Sequence, residues 1–395
     1  MQERLLADIY FYQEGPGVRK WQFKDKGVKL LNGGNINKGI INLDTTNIYI
    51  DEDEAYGKYE HFLIDEGDLV IACSGVLVEN FHNKIAFIKK EHLPLCLNTS
   101  TMRFKQLPSK EGTLDYLKYF LKSNYFKKQI GRLITGSAQL NFGPSHIKQI
   151  KIPLPSLEVQ KAIAARLDKA DEIRQLNQQI INHYDELIQA LFIDMFGDPV
   201  KNEKGWEKSI IGEVCSKIQI GPFGSQLHQS DYVDNGLPLI NPVNIKKDKI
   251  DLLNSVKITQ EKYDELPNYH LRIHDIILAR RGDLSKIGYI KNENNFCGTG
   301  SLFIRLKSSL NSFFIFKLLN HISTINYLYK NAQGVTMPNL NKKIVYNIPI
   351  FLPPIELQNQ FAERVQKIEA QKELAVQALQ QSEDLFNSLL QQAFK

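Results

Sequence analysis

The sequence predicts an α+β protein made by tandem duplication, each copy a curved, mostly antiparallel sheet with short helices followed by one long helix. Three observations predict it: an ordered series of internal matches, short apolar runs punctuated by Gly, Asn, Pro and Asp, and two heptad-patterned stretches. Ile150–Gln160 (IKIPLPSLEVQ) corresponds to Ile348–Gln358 (IPIFLPPIELQ) at an offset of 198 residues. At the same offset Gly136 falls on Gly334, Asn141 on Asn339, Arg166 on Arg364 and Leu191 on Leu389. Asp68–Gly75 matches Asp275–Gly282 at 207, Ile85–Ile88 matches Ile287–Ile290 at 202, and Gly27–Ile36 matches Gly236–Ile245 at 209. An offset that drifts while order is kept is what loop-length changes between persistent elements produce.

The elements follow in order. Residues 1–153 and 206–352 form the two globular parts, 154–196 and 353–395 the long helices, and 197–205 a polar linker. Asp68–Ala72, Asp275–Ala279, Ile85–Ile88 and Ser301–Leu306 read as buried strands, and Leu114–Ile130 and Phe313–Tyr329 as helical stretches. The second copy enters through Gly205-Trp-Glu-Lys208, whereas the first begins almost beyond that point, so its edge strand is expected to be short or absent. Pro155-Ser156 and Pro353-Pro354 open the long helices, because proline is tolerated in a helix's first turn. In the first, Ile163, Leu167, Ala170, Ile181, Tyr184, Ile188, Leu191 and Met195 recur at steps of three and four, interrupted by Arg174 and Asn177. In the second, Phe361, Val365, Ile368, Ala375, Leu379, Phe386, Leu389 and Ala393 recur likewise, interrupted by Lys372 and Ser382. This is a coiled-coil seam. Rods of roughly 60 Å overhang a 150-residue domain, so the seams are expected to pair with each other rather than only with their own domains. A two-fold relation between the copies would make the pair antiparallel, although the pattern itself also permits a parallel one. Gly197-Asp-Pro199 ends the first helix as a glycine cap followed by proline.

Composition narrows function. The chain has 395 residues, 43% hydrophobic and 24% charged, with net charge +5. Packed cores are affordable, and the charge leans weakly toward a polyanionic partner. Cys73, Cys96, Cys215 and Cys297 lie far apart without a CxxC pair, so they read as buried small hydrophobes in a reducing compartment, not as a metal site. Met1-Gln-Glu-Arg-Leu-Leu has no export core and no apolar run approaches a membrane span, which predicts a cytoplasmic protein without membrane contact. There is no GxxxxGK[ST], no GxGxxG and no HExxH. Gly197-Asp-Pro-Val200 approaches an amino-methyltransferase tetrapeptide but lacks the aromatic that stacks a flipped base, and it reads better as a helix terminator. His274-Asp275 reads as a strand entry rather than a catalytic dyad. No catalytic residues and no metal ligands are assigned.

Two similar domains on a spacer suit a two-site reader of double-stranded DNA. Direct readout uses Arg on guanine, Asn or Gln on adenine, and Ser or Thr on either, from loops near phosphate-holding cations. Gly15-Pro-Gly17 is followed by Arg19, Lys20 and Gln22, and the corresponding Gly221-Pro-Phe-Gly224 by Ser225, Gln226 and His228. The same turns also make ordinary hairpins. Arg280, Arg281 and Lys286 lie at a strand end where the first copy has Ser74. Gln139 in one matched loop, and Thr336 and Asn339 in the other, complete the candidates, although the loop glycines and asparagines also serve as backbone punctuation.

The arrangement resembles the specificity subunit of type I restriction–modification systems over essentially the whole chain. Carrying the resemblance are Gly221-Pro-Phe-Gly-Ser-Gln-Leu227 with Asp231-Tyr232, Gly15-Pro-Gly17 with Gly27–Asn32, the proline-rich helix entries with Glu158, Gln160, Glu356 and Gln358, and Leu191–Asp198. The resemblance implies two target-recognition domains, each reading one half of an interrupted sequence, joined by antiparallel helices. It implies no catalysis by this chain. The implied partners are two modification subunits that use S-adenosylmethionine to methylate adenine at N6, and translocating restriction subunits that need ATP and Mg. Three rival readings are a self-contained DNA-modifying enzyme, a purely structural scaffold, and a DNA-reading subunit of a modification-only or phage-defence system.

Overall fold

The computed structural model describes residues 2–134, 139–224, 226–246, 249–334 and 337–395. It divides into two compact units, Met1–Gln178 with Gln377–Lys395, and Gln179–Val376. Each unit therefore takes one globular copy together with half of each long helix.

In the first unit a four-stranded antiparallel sheet runs in the order Tyr10–Glu14, Thr101–Gln106, Leu69–Ala72, Ile85–Phe87. The second unit repeats it as Cys215–Ile220, Ser301–Leu306, Ile276–Ala279, Ile287–Tyr289. The inner strands Leu69–Ala72 and Ile276–Ala279 are buried at every residue, which accounts for their unbroken apolar sequence. A second small sheet accompanies each, pairing Leu95–Leu97 parallel to Val28–Leu31 in one copy and Asn295–Cys297 parallel to Leu237–Ile240 in the other. The expected single curved sheet is thus a four-stranded sheet accompanied by several smaller ones in each copy, still mostly antiparallel. The expected helical stretches are each two helices, Leu114–Lys122 and Asn124–Leu133, then Ser312–Leu319 and Ile322–Asn331. The breaks fall at Ser123 and His321, whose side chains cap the following helix by accepting from Phe126 N and Ser323 N. The first copy's edge strand is present and short: the three residues Glu3–Leu5 pair with Lys151–Pro153, where the four residues Glu207–Ile210 pair with Pro349–Leu352.

The long helices are Leu157–Phe196 and Ile355–Ala393. Gln160 and Gln358 explain the repeated Glu-x-Gln entry. Both are buried. Gln160 Oε1 accepts from Thr113 N at 3.0 Å and Gln358 Oε1 from Asn311 N at 3.1 Å, while their amides donate to Pro155 O and Pro353 O. Each glutamine ties a proline-opened helix start to the cap of a short domain helix.

Within each unit the helices pair antiparallel. In the first, Arg174 lies over the Phe386 ring and Asn177 donates to Ser382 Oγ at 3.3 Å, so one number rises as the other falls. In the second, Asp185 meets Lys372 and Phe196 packs on Phe361 with centroids 5.3 Å apart. The polar interruptions of the two heptad patterns are therefore partners of each other or of a seam neighbour, an arrangement that rewards one register over its slips. The seams also enter the globular cores. Ala164, Leu167, Phe386 and Phe394 join the core around Tyr116 and Phe120, and Ile188, Phe192 and Phe361 join that around Phe314 and Phe351. Helix pairing and domain packing, posed by the sequence as alternatives, are both present.

Polar anchors reinforce these junctions. Asp168 on the first long helix accepts from Lys118 Nζ at 2.7 Å and Tyr119 OH at 2.6 Å. Position 317, which corresponds to Tyr119, is a lysine whose ammonium pairs with Glu369 at 2.8 Å on the second long helix. Burial pushes the Asp168 carboxyl up, but the hydrogen bonds from Lys118 and Tyr119 outweigh it and hold it below the usual aspartate value. Such a depressed group contributes stability above its unfolded pKa of about 3.9 and loses it as pH falls through the folded value. Asp168→Asn is accordingly expected to flatten the acid limb of the first unit's thermal midpoint below about pH 4, measured by melting at a series of pH values.

Candidate nucleic-acid interface

In the second unit three segments far apart in sequence converge. Gly221 donates its N–H to Ser301 O at 3.0 Å, and a Cβ there would stand 2.0 Å from Gly298 O, so only glycine lets the turn lie against the sheet. The turn presents Phe223, which is exposed. Arg280 leaves the buried strand Ile276–Ala279 and passes over Phe223, with its guanidinium carbon 5.9 Å from the ring centre. Its Nε donates to Asn339 Oδ1 at 3.3 Å. Arg281 forms a backbone bridge with Asn339, and Gly282, at φ +77°, donates to Pro338 O. Arg281 itself is exposed and has no side-chain partner among the described residues. Burial and the neighbouring Arg281 charge both lower the Arg280 pKa. Two arginines held together at a strand end, one of them without a side-chain partner among the described residues, form a site prepared for an anion or an acceptor-rich edge.

The remaining candidates of this copy are placed as follows. Gln226 Oε1 accepts from Tyr269 OH at 2.7 Å, which engages its oxygen. His228 is exposed, with its backbone N–H on Asp231 Oδ2. Lys286 is half-exposed beyond the Asp283–Ser285 turn. Ser225 and Thr336 lie outside the described residues.

The first copy repeats the frame with other side chains. Gly15 donates to Thr101 O, and a Cβ on it would stand 2.4 Å from the Asn98 backbone. Ser74 Oγ donates to Asn141 Oδ1 at 2.8 Å, the Gly75 N–H donates to the same oxygen at 3.0 Å, and Gly75 has φ +71°. Ser74 and Asn141 thus occupy the places of Arg281 and Asn339. Behind them opens a cleft of about 370 Å³ lined by Glu14, Asn32, Cys73, Ser74, Asn98, Thr99, Ser100, Asn141 and Phe142. Gln139 is strand-paired opposite Leu77, and its side chain lies outside the described set.

The structure separates the Arg19, Lys20, Gln22 group. Lys20–Gln22 is a single 3-10 turn, which points alternate side chains in different directions. Gln22 is buried, with its amide on Glu54 Oε2 at 3.0 Å and Tyr59 OH at 3.1 Å, so it is a core hydrogen bonder rather than an exposed reader. Arg19 and Lys20 are exposed, and Trp21 between them is 78% exposed. Sequence reasoning passed over Trp21. The signal was present: an aromatic flanked by two cations just after a turn, the composition of a nucleic-acid stacking platform.

Other chemistry is placed plainly. Asp198 of the Gly-Asp-Pro segment accepts from Ser323 Oγ and from the Val200 and Lys201 N–H groups, which makes it the cap of the linker turn. His274 bonds Tyr289 OH while Asp275 pairs with Arg305, so the two form no dyad. Burial pushes the thiols of Cys73, Cys96 and Cys215 up to about 12. Among the described residues no three His, Cys, Asp or Glu side chains are grouped to hold a metal ion, and no helix is long and apolar enough to cross a membrane.

A duplicated frame with interchangeable side chains at one turn defines a tandem recognition protein. The model of the type I restriction modification DNA specificity domain matches the chain twice, at residues 1–183 and 203–383, and the chain belongs to that family, whose members recognise DNA rather than react with it. It is 28% identical over 67% of its length to the MjaVIII specificity subunit of Methanocaldococcus jannaschii, of which it spans 66%, slightly under two thirds. It is 24% identical over 79% of its length to the MjaIX specificity subunit of the same organism, of which it spans 77%. In fold it is similar to the crystal structure of the type I restriction–modification S subunit from M. genitalium, with a TM-score of 0.55 at 17% identity, covering 100% of this chain and 96% of that one.

Proposed function

We propose that this chain is the DNA-reading subunit of a cytoplasmic type I restriction–modification complex, each copy contacting one half of a bipartite, interrupted duplex target. The observation that carries the reading is the pair of matched turns, Ser74–Asn141 and Arg281–Asn339, alike in backbone and different in side chain. Phosphate contacts supply salt-dependent affinity, and the turn side chains supply discrimination. Arg19, Lys20, Ser74, Gln139, Ser225, Gln226, His228, Arg280, Arg281, Lys286, Thr336 and Asn339 are the proposed contacts, with Trp21 replacing Gln22.

Catalysis comes from partners: two modification subunits using S-adenosylmethionine, and restriction subunits using ATP and Mg. Equivalent docking patches support a double partner. Leu176 and Leu385 are exposed on the helix segments of the first unit, and their duplicates Leu374 and Leu187 are exposed on those of the second. Exposed leucines on the flank of a paired seam suit further helices.

The helices are the ruler. Inserting one heptad into each long helix adds about 10 Å of helix at 1.5 Å per residue, and is expected to lengthen the preferred unread spacer by about three base pairs at 3.4 Å each. Selection of bound sequences from a random duplex pool measures this, and an unchanged spacer rejects the ruler.

A further inference from the structure

The cleft of the first copy contains an acceptor and a donor that the described residues leave without a hydrogen-bond partner. Its other polar side chains are engaged by hydrogen bonds within the fold. Asn98 Nδ2 donates to Asn32 Oδ1 at 2.7 Å, and Asn32 Nδ2 donates to Leu30 O. Asn98 Oδ1 accepts from Thr99, Ser100 Oγ accepts from Gly33 N, and Ser74 Oγ donates to Asn141. The Asn141 side chain is fixed in orientation, because the Gly75 N–H can only donate and therefore claims Oδ1. Its Nδ2 is then presented without a partner among the described residues. Glu14, at the end of the strand Tyr10–Glu14, is half-buried, and its carboxylate also has no hydrogen-bond partner among them.

Among the described residues no hydrogen bond takes up that carboxylate, whose pKa burial raises while the His146 charge lowers it. Glu14 precedes Gly15, which bonds Thr101, as Ile220 precedes Gly221, which bonds Ser301, so the second copy builds the same corner with isoleucine. Room is nevertheless kept for it: a Cβ on Gly143 would stand 2.8 Å from Glu14 Oε2. A half-buried carboxylate on a surface meant for a polyanion is unfavourable unless the ligand brings a hydrogen-bond donor to it.

We propose that this cleft reads an adenine in the half-site of the first copy, Glu14 accepting from the N6 amino group and Asn141 Nδ2 donating to N7. Adenine is the base whose major-groove edge offers one donor beside one acceptor. Guanine presents two acceptors there, and its O6 would face the carboxylate, so the same pair that takes adenine rejects guanine. The second copy, with Ile220 in place of Glu14 and Arg280 and Arg281 beside Asn339, has the opposite polarity and does not share this preference.

The inference rests on the DNA-reading function proposed above, and one experiment separates the two. Full-length wild-type chain, Glu14→Gln and Glu14→Ile are each used to select sequences from a random duplex pool. Glu14→Ile installs the residue that the second copy already tolerates, which guards against a folding artefact. Wild type is expected to enrich a two-part motif with an adenine in one half. In both variants the preference for adenine over guanine at that one position should fall about tenfold, the scale of one good base contact, with the other half unchanged. If wild type enriches no motif, the DNA-reading function fails and takes the inference with it. If it enriches one and the variants leave every position unchanged, alter both halves, or lose affinity uniformly, the adenine assignment alone is overturned.

Discussion

Phe192→Ala is expected to lower the stability of the second unit by about 3–5 kcal/mol, the range for emptying a large buried aromatic site. Phe192 is 2% exposed and stands at the centre of five rings. Its centroid is 5.3 Å from Phe196, 6.0 Å from Phe314 in a stacked pair, 5.4 Å from His321, 5.5 Å from Phe361 and 6.3 Å from Phe351. These rings come from both long helices, a short helix, the cap of the next one and the strand Pro349–Leu352, so no one neighbour can collapse into the space without unseating another. The chain supplies its own reporter. Trp206, whose indole N–H donates to Phe196 O at 2.9 Å, belongs to this unit, and the exposed Trp21 belongs to the other. In a Trp21→Phe background the urea midpoint of Trp206 fluorescence should move down with little change in slope. A midpoint unchanged in Phe192→Ala would show that the helix end does not contribute to that core.

Elements were legible in the sequence where one physical constraint acts on several positions at once. The strand runs Leu69–Ala72 and Ile276–Ala279 are apolar because both faces are covered. The seams were legible because residues at steps of three and four share a face, and Arg174, Asn177, Lys372 and Ser382 were legible as interruptions for the same reason. That Asn177 meets Ser382 was not, since a heptad pattern carries no direction. The split of Leu114–Ile130 at Ser123 also escaped a periodicity argument, because Ser123 caps one helix while closing another and leaves the apolar spacing intact.

The proposed recognition face was legible only as punctuation. Gly15, Gly221, Gly75 and Gly282 are needed by close approach or left-handed φ, and those needs are written in residue type. Which neighbouring side chain points outward is decided by a turn's geometry, and one residue of rotation exchanges Gln22 for Trp21. Glu14 went unremarked because its strand reads Tyr10-Phe-Tyr-Gln-Glu14, a run that gives a terminal carboxylate no reason to be anything but solvated. Its lack of a partner is visible only once Asn32 and Asn98 have been paired off around it and Asn141 Oδ1 has been claimed.

Asp275→Ala is expected to cost about 3 kcal/mol, the low end of the penalty for breaking a buried ion pair, because the Arg305 left behind is only partly buried. Asp275 has a side chain 1% exposed and accepts from Arg305 Nε at 2.8 Å and Nη2 at 2.7 Å, as well as from Arg272 N at 2.8 Å. Arg305 in turn donates to His270 O. The first copy has the same pair more loosely: Arg103 reaches Asp68 through one contact at 3.3 Å, with Lys105 nearby. There burial raises the Asp68 carboxyl by more than the Asp65 N–H, Lys105 and Arg103 together lower it. Replacing both partners, Asp275→Leu with Arg305→Met, should recover most of the loss, since an apolar pair carries no uncompensated charge. Denaturant melts of the two single variants and the double variant measure the coupling directly. The consequence reaches recognition, because Asp275 opens the strand whose far end carries Arg280 and Arg281. Loosening that strand lets the arginine pair lose its seat on Phe223 and Asn339, so in a binding-site selection Asp275→Ala should weaken base preference in the half read by the second copy and spare the other. Equal loss in both halves would mean that the ion pair supports the fold as a whole rather than the reading edge.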